Sequence, residues 1–276
     1  MTTLAEKDSP ALRPVEGVLE DPAIAARRRE NRLVLMLQLA LAVGILGLWE
    51  IGSGWWFSDF WVSSPSQIVQ ALWAMTIDGR MVAALGATVT VALSGFALGA
   101  AFGVALGILL GLNPVVARVL DPYLVGLYSL PRVALVPLFV LWLGIGFEMK
   151  VAFTALLVFF PIFMNTLSGV RSVDADLIDV IKVMGASRWN AVAKVFVPSA
   201  LSWVFAGLRI SAPFALIGAV VAEMFSSNRG LGYLISVSAS QFDTAGLFAA
   251  LVVTTLLGLL LDAVVVVIGR HLLRWQ

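Results

Sequence analysis

The sequence predicts an all-α, polytopic membrane protein of about six transmembrane helices. Two observations carry that prediction. Apolar residues make up 60% of the 276 and charged residues only 13%. That is about half the charged share of a soluble chain, too little polar surface to face water on all sides. Second, six apolar runs, at about 33–51, 82–112, 123–146, 149–169, 203–224 and 245–269, approach or exceed the roughly 20 residues needed to cross a hydrocarbon layer. Lipid offers no partner for free backbone N–H and C=O groups, so these runs are expected as helices.

Residues 1–32 read as a cytoplasmic N-terminal tail, flexible or surface-lying, with Pro10, Pro14, Pro22 and mixed charge. Residues 33–276 read as the membrane domain. The first apolar run begins only at Leu33 and is long enough to span, so it is expected as an anchor and not as a cleaved leader. Between the first two runs, Ile68, Leu72 and Met75 recur at helical spacing after Ser66, the expected N-cap of a short interfacial helix. The second run carries Gly95, Gly99, Gly103, Gly107 and Gly111. Small residues four apart stay on one slowly drifting face and let a second backbone approach closely.

Basic residues set the orientation. With the N-terminus inside, thirteen of the 18 Lys and Arg are cytoplasmic, Arg132 and Arg209 lie within spans, and only Arg80, Lys150 and Arg229 lie outside. That is the bias expected of a multi-pass protein with both termini in the cytoplasm.

Several classes of chemistry drop out. There is no cysteine and one histidine, His271, so disulfides, thiolate chemistry, His-based catalytic triads and the usual metal sites are excluded. No G-x-G-x-x-G or G-x-x-x-x-G-K-[ST] occurs, so no cofactor is expected on this chain and it is not itself an ATPase or another enzyme. A secondary transporter would need carboxylates near the bilayer midplane, and here the few acids lie near span ends. Nothing in the charge pattern points to nucleic acid.

Residues 170–200 form the most polar stretch after the tail. Leu177, Ile178, Ile181 and Met184 have helical spacing, Gly185 can end that helix, and Ser187 can cap a second one carrying Trp189, Val192 and Phe196. Pro198 is expected to end it. Two short amphipathic helices at an angle result, and their physics alone leaves two roles open: lying in headgroups or docking a partner.

At this point the sequence resembles the permeases of binding-protein-dependent ABC importers. Their loop hallmark is E-A-A, three residues, Gly, nine residues, then I-x-L-P. Here stand Asp179-Val180-Ile181, three residues, Gly185, nine residues, then Val195-Phe196-Val197-Pro198. Asp replaces Glu, and branched residues replace both alanines. The resemblance runs from SSPSQIVQAL at Ser63 through LDPYLVGLYSLPRVALVPLFVLWLGIG, GLRISAPFALIGAVVAEMF and RGLGYLI to the C-terminal end. It is similar to the nitrate, sulfonate, taurine and bicarbonate group, some of whose members carry thiamine-precursor pyrimidines.

The resemblance implies a type I importer fold in the bacterial inner membrane. It implies a second permease copy, a substrate-binding protein, and separate ATPase subunits holding ATP and Mg. It also implies a coupling role for Asp179, Ile181, Gly185, Ala186, Ser187, Arg188 and Pro198.

Charges within the spans are costly and normally paired. Arg209 and Asp262 sit at similar depth, so they are expected either as an ion pair locking the last two spans or with Arg209 snorkelling alone. Arg132 is expected as a helix-break residue near the inner face and, second, as a pathway residue attracting an anion. Ser211 reads as a packing residue with a pathway role as the alternative. Glu223 reads as a solvated outer helix end, and second as a gate or binding-protein contact.

Overall fold

The computed structural model describes residues 22–55, 60–173, 196–226 and 228–272. Their regular elements are helices: α1 (Pro22–Gly52), α2 (Pro65–Ile77), α3 (Arg80–Gly111), α4 (Pro114–Ser129), a 3-10 turn (Arg132–Leu135), α5 (Val136–Leu143), α6 (Phe147–Arg171), α7 (Val197–Ser226), α8 (Leu231–Ser240) and α9 (Thr244–Leu272). Helices α1, α3, α6, α7 and α9 are long and apolar enough to cross a membrane, and α4 with the segment to Leu143 makes a sixth, broken crossing.

The chain divides into two compact units, Met1–Gly52 and Ser53–Gln276. In the first, α1 begins at Pro22, well inside the expected tail. Proline suits a first helical position, and the Ala and Arg that follow are strong helix formers, so the helix starts before its lipid-facing stretch does.

In the second unit, α2 begins at Pro65 and not after Ser66. Ser64 is the cap: its Oγ accepts from Gln67 N at 3.3 Å, and Ser64 N donates back to Gln67 Oε1 at 3.4 Å. A reciprocal capping box plus a proline at the first position outcompetes the later serine. At the other end of α2, Asp78 Oδ1 accepts from Arg80 N at 3.0 Å and Oδ2 from Arg80 Nε at 2.7 Å. These bonds and the Arg80 charge hold the exposed Asp78 carboxyl below the usual carboxylate range.

Helix α6 is the centre of this unit. The five glycines of α3 from Gly95 to Gly111 are buried, and they face α6 in constant register: Gly95 on Thr154, Gly99 on Val158, Gly103 on Ile162, Gly107 on Thr166 and Gly111 on Val170. Every partner is β-branched and the partners are also four apart. The side-chain row is stiff at χ1, so it loses little entropy by standing against a flat glycine face. Neither apolar burial nor charge holds this seam, because lipid is as apolar as a side chain. Close van der Waals packing does. The Thr154 and Thr166 hydroxyls are buried without hydrogen-bond partners, so both threonines serve here by shape.

Register also shows that α3 and α6 run in the same direction. Against the other side of α6, α7 runs the opposite way. Gly218 packs on Thr154, Gly207 on Ile162 and Asn165, and Gly169 of α6 on Trp203.

The third expected span is not one helix. Leu130 is extended at φ −65, ψ 137, and the chain turns by 85° between α4 and the segment from Arg132. Pro131 excludes the helical conformation from the residue before it and cannot donate to the preceding turn.

Sequence periodicity also passed over α8, a helix of ten residues, too short to span. Its Leu231, Leu234 and Ile235 pack with Met75 of α2, Met81 and Ala84 of α3, Leu216 of α7 and Leu257 of α9. Outside this core, α9 exposes Leu256, Leu259, Leu260, Val264 and Val267, a face suited to lipid.

Candidate functional site

Three places in the second unit carry chemistry. The first is the base of the polar loop. Gly169 meets Trp203, so the end of α6 and the start of α7 touch. Arg171 closes that base on Asp121 of α4 at 3.3 Å. Asp179, Ile181, Gly185, Ala186, Ser187 and Arg188 lie outside the described residues. Pro198 is the second residue of α7 and so lies at the start of a helix. Its missing N–H would be unbonded there in any residue.

The second place is at the opposite end, where α3 and α6 begin and α7 ends. An open cavity of about 910 Å³ is walled by Val82, Ala83, Ala87, Ile145, Phe147 and Phe225, with Thr90, Ser226 and Asn228 supplying polar atoms. Lys150 and Arg229 also line it. These two basic residues, 79 apart in the chain, converge on one cavity. Its character is apolar walls with cationic groups, which fits a small organic anion.

Behind the cavity is a buried polar cluster. Glu223 is fully buried, against the expectation of a solvated helix end. Its carboxylate accepts from Thr88 Oγ1 at 3.0 and 2.8 Å and from Gly232 N at 3.0 Å, while Leu231 N donates to Thr88 Oγ1 at 2.8 Å. One carboxylate thus caps the N-terminus of α8 and ties it to α3 and α7, with its charge at the favourable end of the helix dipole. Lys150 is within electrostatic reach. Gly230 is at φ +115, and any Cβ there would overlap the Glu223 carboxyl. Glycine is required on both counts.

Sequence reasoning missed Thr88, Lys150, Gly230 and Gly232 as partners of Glu223. A signal was present: Ala84, Thr88 and Ala92 are small residues four apart on α3, on the Arg80 side of the glycine row, and all three are buried.

The third place is Arg132, which sequence placed near the inner face. Its guanidinium carbon lies 4.6 Å from the Tyr128 ring centre and 5.0 Å from that of Phe160, and its Nη2 donates to Tyr128 O at 3.2 Å. Phe160 is thirteen residues into α6, about 20 Å from its start and about 16 Å from its end. Arg132 is therefore at the middle of the bundle.

Ser211 donates to Val158 O at 3.2 Å, fully buried in the α6–α7 seam, in keeping with its reading as a packing residue. The expected ion pair of the last two spans is corrected. Arg209 and Asp262 form no ion pair with each other or with any other described residue. Gly258 of α9 meets Leu216 and Gly269 meets Phe205, which puts Arg209 level with Val265, about 4.5 Å along the axis from Asp262. Arg209 is exposed.

Residues 103–274 match the family described as binding-protein-dependent transport system inner membrane component. The chain is 34% identical over 256 residues to a putative aliphatic sulfonates transport permease protein of Bacillus subtilis (strain 168), covering 92% of each chain. It is 36% identical over 235 residues to a formylaminopyrimidine transport permease protein of Halalkalibacterium halodurans, covering 84% of this chain and 92% of that one. A chain of the inward-facing MetNI methionine ABC transporter shares the fold at a TM-score of 0.61 and 17% identity, over 71% of this chain and 97% of that one. On these grounds the chain belongs to the inner-membrane components of binding-protein-dependent transport systems and is a membrane-spanning permease of the ABC importer class.

Proposed function

We propose that two copies of this chain enclose a path through the bacterial inner membrane for a small organic anion of the sulfonate or taurine class, with nitrate and bicarbonate as close alternatives. Both termini are cytoplasmic, so the Lys150 and Arg229 cavity opens outward and the 170–200 loop projects inward. A soluble binding protein delivers the solute at the cavity side. Separate ATPase subunits, holding ATP and Mg, grip the loop through Asp179, Ile181, Gly185, Ala186, Ser187 and Arg188, with Pro198 at its base. Nucleotide binds the closed state of that motor more tightly, and this differential affinity drives the switch between inward and outward opening. The permease makes and breaks no covalent bond.

The observation that carries the anion reading is the convergence of Lys150 and Arg229 on one apolar-walled cavity. Similarity to the formylaminopyrimidine permease supports a second reading, a neutral pyrimidine, for which two cations give no advantage.

The test is uptake into proteoliposomes holding the permease, its ATPase and its binding protein. ATP-dependent accumulation of labelled butanesulfonate or taurine is expected. Accumulation of a formylaminopyrimidine with no anion taken up would overturn the reading.

Coupling has its own test. Gly185→Trp is expected to lower ATPase co-purification and uptake at least tenfold while leaving the helical core folded, because a large side chain there would block docking of the loop. Full ATP-driven uptake by that variant would remove the loop's role.

A further inference from the structure

We propose that Arg132 is an anion-binding residue at the midpoint of the path, receiving the oxyanion head group of the solute between the outer cavity and the cytoplasm. The inference rests on the anion reading above and adds a residue and a depth to it.

Four observations carry it. Arg132 is at mid-bundle, level with Phe160, with about 16–20 Å of α6 on either side. A single side chain cannot snorkel to either interface from there. No carboxylate meets it: among the described residues Arg132 has no ion pair, although a charge at this depth is costly and normally paired. Its Nε is buried without a hydrogen-bond partner, and its one hydrogen bond goes to a backbone carbonyl. A guanidinium has five donors, and a buried orphan donor in a native structure calls for an explanation. Finally, the residue follows the Pro131 break, where the chain turns by 85°. Irregular backbone at membrane depth is tolerated where it is covered by protein or lines a watery cavity, not where it faces lipid.

Arg132 is half-buried, with part of its surface left open. Lipid would not accept that exposed part of a cation, so it faces the path. Tyr128 and Phe160 hold the guanidinium between their rings without neutralising it, as cation–π contacts do. The fork is left positioned for a planar or tetrahedral oxyanion. The missing counter-charge is the passing solute. Lys150 and Arg229 would gather anions at the outer end, and Arg132 would discriminate for charge in the interior.

The experiment uses the full complex in proteoliposomes with labelled butanesulfonate, comparing wild type, Arg132→Gln and Arg132→Lys. Arg132→Gln is expected to cut the maximal rate of sulfonate uptake at least tenfold, with unchanged co-purification of the ATPase and unchanged basal ATP hydrolysis. Arg132→Lys, which keeps the charge and loses the fork, is expected to fall between. Equal uptake by Arg132→Gln and wild type would overturn the proposal while leaving the anion reading intact. So would equal losses in both variants accompanied by loss of assembly, since that is the mark of a purely structural residue. Absence of sulfonate uptake by wild type would instead remove the anion reading, and this proposal with it.

Discussion

Gly99→Leu is expected to destabilise the permease by about 3 kcal/mol, the upper part of the range for overpacking a tight interface. A Cβ at this position would lie 2.6 Å from the carbonyl oxygen of Ala155 and 2.9 Å from Val158 Cβ. A side-chain tip could swing away from such a contact, but a backbone carbonyl in the middle of α6 cannot. The remaining relief is to push α3 and α6 apart. Their five glycine contacts share one register, so separation at Gly99 loosens Gly95 and Gly103 as well. Little else holds the seam, because lipid solvates apolar faces as well as protein does.

The measurement is the midpoint of thermal unfolding in detergent, with Gly126→Leu as the comparison. A Cβ on Gly126 meets nothing within 4 Å. A Gly99→Leu protein as stable as Gly126→Leu would mean that the seam is not closely packed.

Much of this was legible because a bilayer imposes simple rules. Span length and a four-residue glycine period both follow from backbone geometry: the first predicted where α3, α6, α7 and α9 lie, and the second the closely packed face of α3. The failures have physical causes. A span was drawn straight through Leu130 and Pro131 because apolar content is blind to a proline that turns the chain. Helix α8 went unseen because ten apolar residues are too few to register as a crossing, and its burial depends on four other elements.

The Arg209–Asp262 pairing was argued from depth alone. Depth does not give the direction of a side chain. Arg132 was misplaced because its depth is fixed by contact with Phe160 of another helix, which its place in the chain does not show. Glu223 was misread for a different reason: position at a helix end suggests water, while the partners that bury it, Thr88 and Gly232, come from other elements.

Glu223→Leu should cost about 2–4 kcal/mol, and here the loss comes from polar groups left behind. Two donors lose their acceptor, the Thr88 hydroxyl and the Gly232 N–H, in a place water does not reach. An unmade bond at a buried donor costs about 1–3 kcal/mol. Glu223→Gln keeps one carbonyl oxygen in the same position, and about 1 kcal/mol of loss is expected for it. Thr88→Val strands the Leu231 N–H and removes a donor from the carboxylate, for about 2 kcal/mol.

The combination is the discriminating measurement. Thr88 and Glu223 serve one cluster, so the double variant Thr88→Val with Glu223→Leu should cost at least 0.5 kcal/mol less than the two single changes added, because the second change removes bonds the first already broke. Unfolding midpoints of the four proteins close the cycle. Additive losses would show that Thr88 and Glu223 stabilise the N-terminus of α8 independently, and that they do not act as one cluster.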